Sequence, residues 1–154
     1  RALHDDGKTV NGNKLRNYRR YKTSFHKEKY LEQNDFERRQ SLGRLRLSCH
    51  KLLIETGRHV RLCERLAPED RLCQYCSAKT CEDELHFIMI CPNYSILRKK
   101  LLDNIHSQYQ FLSNYSTEEC YLWIMSSNKT FITNELSEYV KNAFKKRAIS
   151  EILS

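Results

Sequence analysis

The stretch RLCQYCSAKTCEDELHFIMICP, residues 71–92, constrains this chain more than any other part of it. Cys73 and Cys76 form a Cys-x2-Cys pair, His86 follows, and Cys91 stands just before Pro92, so four soft or borderline ligands fall within nineteen residues. A Cys-x2-Cys pair closes a tight turn that aims two thiolates at one point, and a later His and Cys complete a tetrahedron from the other side. Thr80 or Cys81 is placed to cap a helix whose first turn carries Glu82, Asp83 and Glu84, where the helix dipole favours negative charge. His86 rides on that helix. Five residues on, Cys91 would sit about 140° away around a regular α-helix. Pro92 pushes Cys91 out of the α region, so the chain can leave the helix there and swing the thiolate back. The spacing therefore predicts a zinc site made of Cys73, Cys76, His86 and Cys91. Cys81 lies in the same window, and spacing alone leaves open its replacing one of the four.

Other uses of these cysteines fit less well. Free cysteines do serve as small apolar fillers, but four ligand types at this spacing seldom arise by chance. Seven cysteines is an odd number for a disulfide framework, and a chain this long buries a core without staples. A redox Cys-x-x-Cys belongs at the end of a strand in a βαβ unit, whereas this pair leads into a polar turn and a His-bearing helix. Reduced cysteine used as a ligand places the chain in the nucleus or the cytoplasm.

At 154 residues the chain makes one domain, or a domain with a tail. It begins at Arg1, which suggests a piece cut from a longer protein. No run of eighteen apolar residues occurs, so no membrane partner is expected. The net charge of +8 is concentrated early: from Lys14 to Arg61 there are fourteen Lys or Arg against five Asp or Glu, and the remainder is about neutral. Tyr18, Tyr21, Phe25 and Tyr30 interleave there with Arg16, Arg19, Arg20, Lys22, Lys27 and Lys29. That mixture suits phosphate contacts beside stacking platforms, or equally a solvated helix face with its aromatics turned inward.

The periodicity predicts a mainly α fold, a small helical domain built around the CCHC site and its short Cys-x-x-Cys turn. Residues 1–13 read as a flexible lead or linker remnant. Residues 14–107 hold basic helices and the zinc module, and residues 108–154 a C-terminal helical pair packed on it. A short basic helix covers about Lys14 to Phe25. Asn34 with Glu37 opens a longer helix through about Ile54, with an inner stripe of Phe36, Leu42, Leu45, Cys49 and Leu52 or Leu53, closed by Gly57 as a left-handed cap. Cys49, His50, His59 and Cys63 have irregular spacing and are set aside as a second metal set, Cys49 going to the core and the others to surface or packing. Pro92 starts a helix to about Ser107 with Tyr94, Leu97, Leu101 and Ile105 inside and Arg98, Lys99 and Lys100 outside. Ser116 and Glu119 form a capping box, and the last helix runs from about Thr130 to Leu153.

Taken in order, Arg44-Leu45-Arg46, His50, Leu52, Gly57-Arg58, Cys73-x2-Cys76, Glu82, His86-Phe87, Cys91-Pro92, Tyr94 and Arg98 resemble the zinc-binding region that follows the reverse transcriptase in many non-LTR retrotransposon polyproteins. The resemblance spans about residues 14–105. It implies Zn2+ on Cys73, Cys76, His86 and Cys91. It also implies nucleic acid, RNA or DNA, as partner, an upstream polymerase domain in the same polyprotein, and Arg44, Arg46, Arg58 and Arg98 at phosphates. The interval from Cys76 to His86 exceeds that of a retroviral zinc knuckle, so the knuckle's way of reading exposed bases does not carry over. No polymerase or endonuclease motif is present, which leaves any catalysis to the parent protein. The competing class is a protein-interaction module in which the Arg-rich helix docks an acidic partner or its own polymerase domain.

Overall fold

The computed structural model describes residue 15, residues 17–58 and residues 65–153. The lead at 1–13, and with it Lys14, Arg16, His59 and Cys63, lies outside the described residues. The described residues contain six α-helices: α1 (Tyr18–Tyr21), α2 (Phe36–Arg46), α3 (Leu53–Thr56), α4 (Ser95–Gln108), α5 (Thr117–Ser126) and α6 (Thr130–Leu153). The only extended pairing among the described residues is a single antiparallel bridge between Leu72 and Cys81. None of the described helices is long and apolar enough to cross a membrane.

The spine is α6, against which α2 and α4 both pack. Its buried residues Ile132, Leu136, Tyr139, Val140 and Ala143 recur every three or four positions and make one apolar stripe. Leu42 and Leu45 of α2 and Leu101 and Ile105 of α4 are buried with them. At the centre sits Phe87, fully buried, its ring 4.6 Å from that of Phe144 and 4.9 Å from that of Tyr94. Truncating such a ring to Ala costs about 3–5 kcal/mol. Beyond Ala143 the apolar stripe fades, and Ile149 and Leu153 are exposed.

The helix predicted from Asn34 to Ile54 is two elements. Its cap is Asp35, whose carboxylate accepts the Arg38 N–H at 3.1 Å. It stops at Arg46 because Ser48 takes a left-handed φ of 53°. Ser48 N–H then donates to Leu45 C=O at 3.2 Å and Cys49 N–H to Arg44 C=O at 2.8 Å, the paired closure of a Schellman motif. The chain turns there, so Cys49 ends exposed rather than in the core where the sequence placed it, and its neighbour His50 is buried. Phe36 is likewise exposed. Gly57 is right-handed, with φ of −63°, and no left-handed cap. Glycine is needed there for room, since a Cβ would lie 2.8 Å from Leu53 O and 3.0 Å from Arg71 Cγ. That Arg71 side chain holds the neighbourhood together by donating to the carbonyls of Ile54 and Leu66.

The N-terminal basic helix shrinks to the single turn of α1, and Phe25 is fully exposed. Further on, the box at Ser116 forms in full. Its hydroxyl accepts the Glu119 N–H at 3.2 Å, and the Glu119 carboxylate accepts the Ser116 N–H at 2.7 Å.

Candidate metal centre

A two-rung hairpin presents the first pair of ligands. Cys73 N–H donates to Thr80 C=O and Glu82 N–H to Arg71 C=O, both at 2.8 Å, so residues 74–79 form the loop that Lys79 closes with a left-handed φ of 49°. The second pair comes from a different device than the one read from sequence. Residues Glu84 and Leu85 begin a helical turn, and Asp83 rather than Thr80 or Cys81 caps it, its carboxylate accepting the His86 N–H at 2.8 Å. His86–Ile90 is then a π turn, closed by Cys91 N–H donating to His86 C=O at 2.7 Å. In an i to i+5 turn, residues five apart lie one turn apart on one side, which cancels the 140° divergence of an α-helix. Pro92 fixes the exit, with Cys91 at ψ of 123°.

The result is one tight group. A ligand atom from each of Cys73, Cys76, His86 and Cys91 lies within 4.8 Å of all the others. Cys73 Sγ is 3.9 Å from Cys91 Sγ, and Cys76 Sγ is 3.4 Å from His86 Nε2. A tetrahedral ion with sulfur bonds of about 2.3 Å separates its sulfurs by about 3.8 Å, whereas a disulfide needs about 2.05 Å. The four donors are placed where they could hold a metal ion. Cys81 stands outside the group.

Surroundings complete the site. Cys73, His86 and Cys91 are buried and Cys76 is half-buried. Thr80 Oγ1 lies 3.1 Å from His86 Nδ1. A proton on Nδ1 donated to that hydroxyl leaves the Nε2 lone pair facing Cys76, the orientation a metal-bound imidazole requires. Backbone N–H groups of Tyr75 and Asn93 reach the sulfurs of Cys73 and Cys91, which favours thiolate. Against that, burial pushes the Cys73 thiol up to about 12, raises that of Cys91 and lowers His86. Without a cation the Cys73 and Cys91 thiols therefore hold their protons, and metal uptake must release them.

No protein-family model, no curated protein and no solved structure matches this chain. What can be said of the other residues comes from where they sit.

Arg46 is 2 % exposed. It donates to Met125 C=O, pairs with Glu28 at 3.1 Å and stacks 4.6 Å from the Tyr21 ring, so its charge is spent inside the fold and no phosphate reaches it. Arg98 is half-buried rather than outward and donates to Cys91 C=O at 2.9 Å, buttressing the ligand turn. Lys22 pairs with Glu28 at 2.7 Å and Arg58 with Glu55 at 3.0 Å, each half-buried. Arg19, Arg20 and Arg44 are exposed, Arg20 in a pair with Glu118. Tyr21 and Tyr30 are buried, which takes them out of any stacking surface.

Two buried pairs beside the ligands, Glu82 with Arg147 and Glu84 with His50, were not read from the sequence. Glu82 Oε2 accepts the Leu53 N–H at 2.7 Å, and both its oxygens meet Arg147. Fully buried Glu84 meets His50 Nε2 at 2.8 Å, and the Leu52 N–H donates to His50 Nδ1 at 3.3 Å. The acidic run Glu82-Asp83-Glu84 beside the ligands was the available signal; its partners, 29 to 65 residues away, left none.

Proposed function

We propose that this chain is a non-catalytic module in which Cys73, Cys76, His86 and Cys91 hold one structural zinc ion, and that it binds RNA or DNA through phosphate contacts on its basic first half. The observation that carries the reading is the closed set of four donors within 4.8 Å of one another. Three cysteines and one histidine are the donor chemistry of structural zinc, and four protein ligands leave no open position for a reacting water. The ion would cross-link the hairpin to the π turn, and through Phe87 and Arg98 to the core.

Surface charge supports the second half. Arg19, Arg20 and Arg44 face solvent, joined by exposed Lys27 and Lys51, and the excess cationic charge of the chain lies in this half. The family resemblance points the same way and supplies the context, a region downstream of a reverse transcriptase whose polymerase does the chemistry. In that setting the module positions template RNA or target DNA, and the upstream polymerase domain is its covalent neighbour.

A filter-binding titration across salt tests the nucleic-acid reading. With four phosphates contacted, affinity falls about 100-fold between about 50 and 200 mM salt. Binding that stays weak at low salt and shows no salt slope contradicts it.

A further inference from the structure

Four aromatic rings gather where the connection after α4 meets α5. The Trp123 ring lies 5.2 Å from that of Tyr109 and 5.5 Å from that of Phe111, and Phe111 lies 5.6 Å from Tyr115. Clusters of this size normally seal a core, yet Phe111 keeps 45 % and Tyr115 42 % of its surface in solvent. Apolar rings left exposed together mark a binding surface more often than a stray side chain does.

Charge says what kind of ligand fits. The Lys129 ammonium sits 5.6 Å from the centre of the Tyr109 ring. The basic segment packs along the same helix: α1 contacts α5, Arg20 pairs with Glu118 near its start, and the Lys29 N–H donates to Asn128 Oδ1 just past its end. The nearby acids are already engaged, Glu118 by Arg20 and Glu119 in the Ser116 capping box. Exposed rings with the Lys129 ammonium against them and the basic segment alongside, Glu118 being paired with Arg20, complement a chain of phosphates carrying free base faces.

We propose that this patch is a stacking platform for the unpaired bases of a single-stranded nucleic acid, with Phe111 and Tyr115 as the contacting rings and Lys129 and the basic segment beside its backbone. The proposal rests on the nucleic-acid reading above and narrows it to single strands. Aromatic faces accept any base, so affinity here is gained without sequence preference. A duplex has its base faces already stacked and offers only phosphates.

Trp123 is the single tryptophan of the chain, so intrinsic fluorescence reports from inside the patch. The full chain is titrated with oligo(U) and oligo(dT) of about 20 nucleotides and with a duplex of similar length, following labelled-strand anisotropy and tryptophan emission together. Single strands quench Trp123 and the duplex does not. The Phe111→Leu/Tyr115→Leu variant, checked by circular dichroism, loses about tenfold or more in single-strand affinity with an unchanged salt slope, because rings neutralise no phosphates. Single strands that bind by anisotropy without altering Trp123 emission, and bind the variant as tightly, overturn the platform while leaving the nucleic-acid reading intact; a protein-docking role for the rings is then the better fit. No binding by any strand removes both.

Discussion

Arg147 grips Glu82 with two hydrogen bonds, Nε to one carboxylate oxygen at 3.0 Å and a terminal nitrogen to the other at 3.1 Å, across 65 residues of chain. Both side chains are more than nine-tenths buried. The same guanidinium lies 4.8 Å from the ring of Tyr75, one of the two residues between Cys73 and Cys76, and also pairs with Glu151, which accepts a hydrogen bond from the Tyr75 hydroxyl at 3.0 Å. The end of α6 therefore clamps the loop that presents two of the four metal donors.

Breaking that clamp from one side leaves Glu82 as a buried, uncompensated charge. Arg147→Met is expected to cost about 3–5 kcal/mol, read as a lowered urea midpoint in equilibrium unfolding. An unchanged midpoint would show that water already reaches the pair.

Thr80 makes a separable prediction because its hydroxyl reaches the donor set through His86, its backbone bond to Cys73 being untouched by a side-chain change. Thr80→Val removes the hydroxyl from His86 Nδ1, and affinity for Zn2+ is expected to fall about 10- to 100-fold. Competition against a chromophoric chelator measures it. The far-ultraviolet spectrum of the loaded chain stays as it was.

Ser48 pays conformational strain at φ of 53°, and its buried hydroxyl has no hydrogen-bond partner among the described residues. Ser48→Gly removes both penalties, and about 1 kcal/mol of added stability is expected. A scanning melt should show the midpoint rising by about 2–4 °C; a fall would mean that the hydroxyl is satisfied in solution.

Glu138 sets an acid dependence. Burial raises its carboxyl, but the Asn142 amide, Lys141 and Arg38, whose Nε is 2.6 Å away, outweigh burial and bring it down to about 2 from an ordinary value of 4.5. A carboxyl lowered on folding contributes stability above its unfolded value, and that contribution is lost as pH falls from about 4.5 to about 2. The side chain is 30 % exposed, so screening leaves about 1 kcal/mol. Urea midpoints of the parent and Glu138→Gln should differ near neutrality and converge in acid.

How much of this was legible in the sequence follows from the range of the interactions. The four donors, the Ser116 capping box and the long last helix depend on residues within a few positions, and each could be read directly. The π turn could not, since His86 and Cys91 become neighbours only when Pro92 and the core position of Phe87 together force a wider turn. The break at Ser48 was hidden because serine rarely takes the left-handed conformation that glycine announces. Arg46 looked like a surface cation because its partners Glu28 and Met125 are 18 and 79 residues away. The burial of Tyr21 and Tyr30 beside it follows from the same contact and resolves the ambiguity of the aromatic-basic segment in favour of packing for those two rings.

The most direct measurement is the metal content of the purified, reduced chain, by elemental analysis alongside native mass spectrometry. One zinc per molecule is predicted, with its removal by a strong chelator unfolding the region from Leu72 to Tyr94, since binding energy at such a site is folding energy. A chain that carries no ion and keeps its circular dichroism and melt in chelator, or one whose Cys73 and Cys91 sulfurs prove to be bonded to each other, contradicts it.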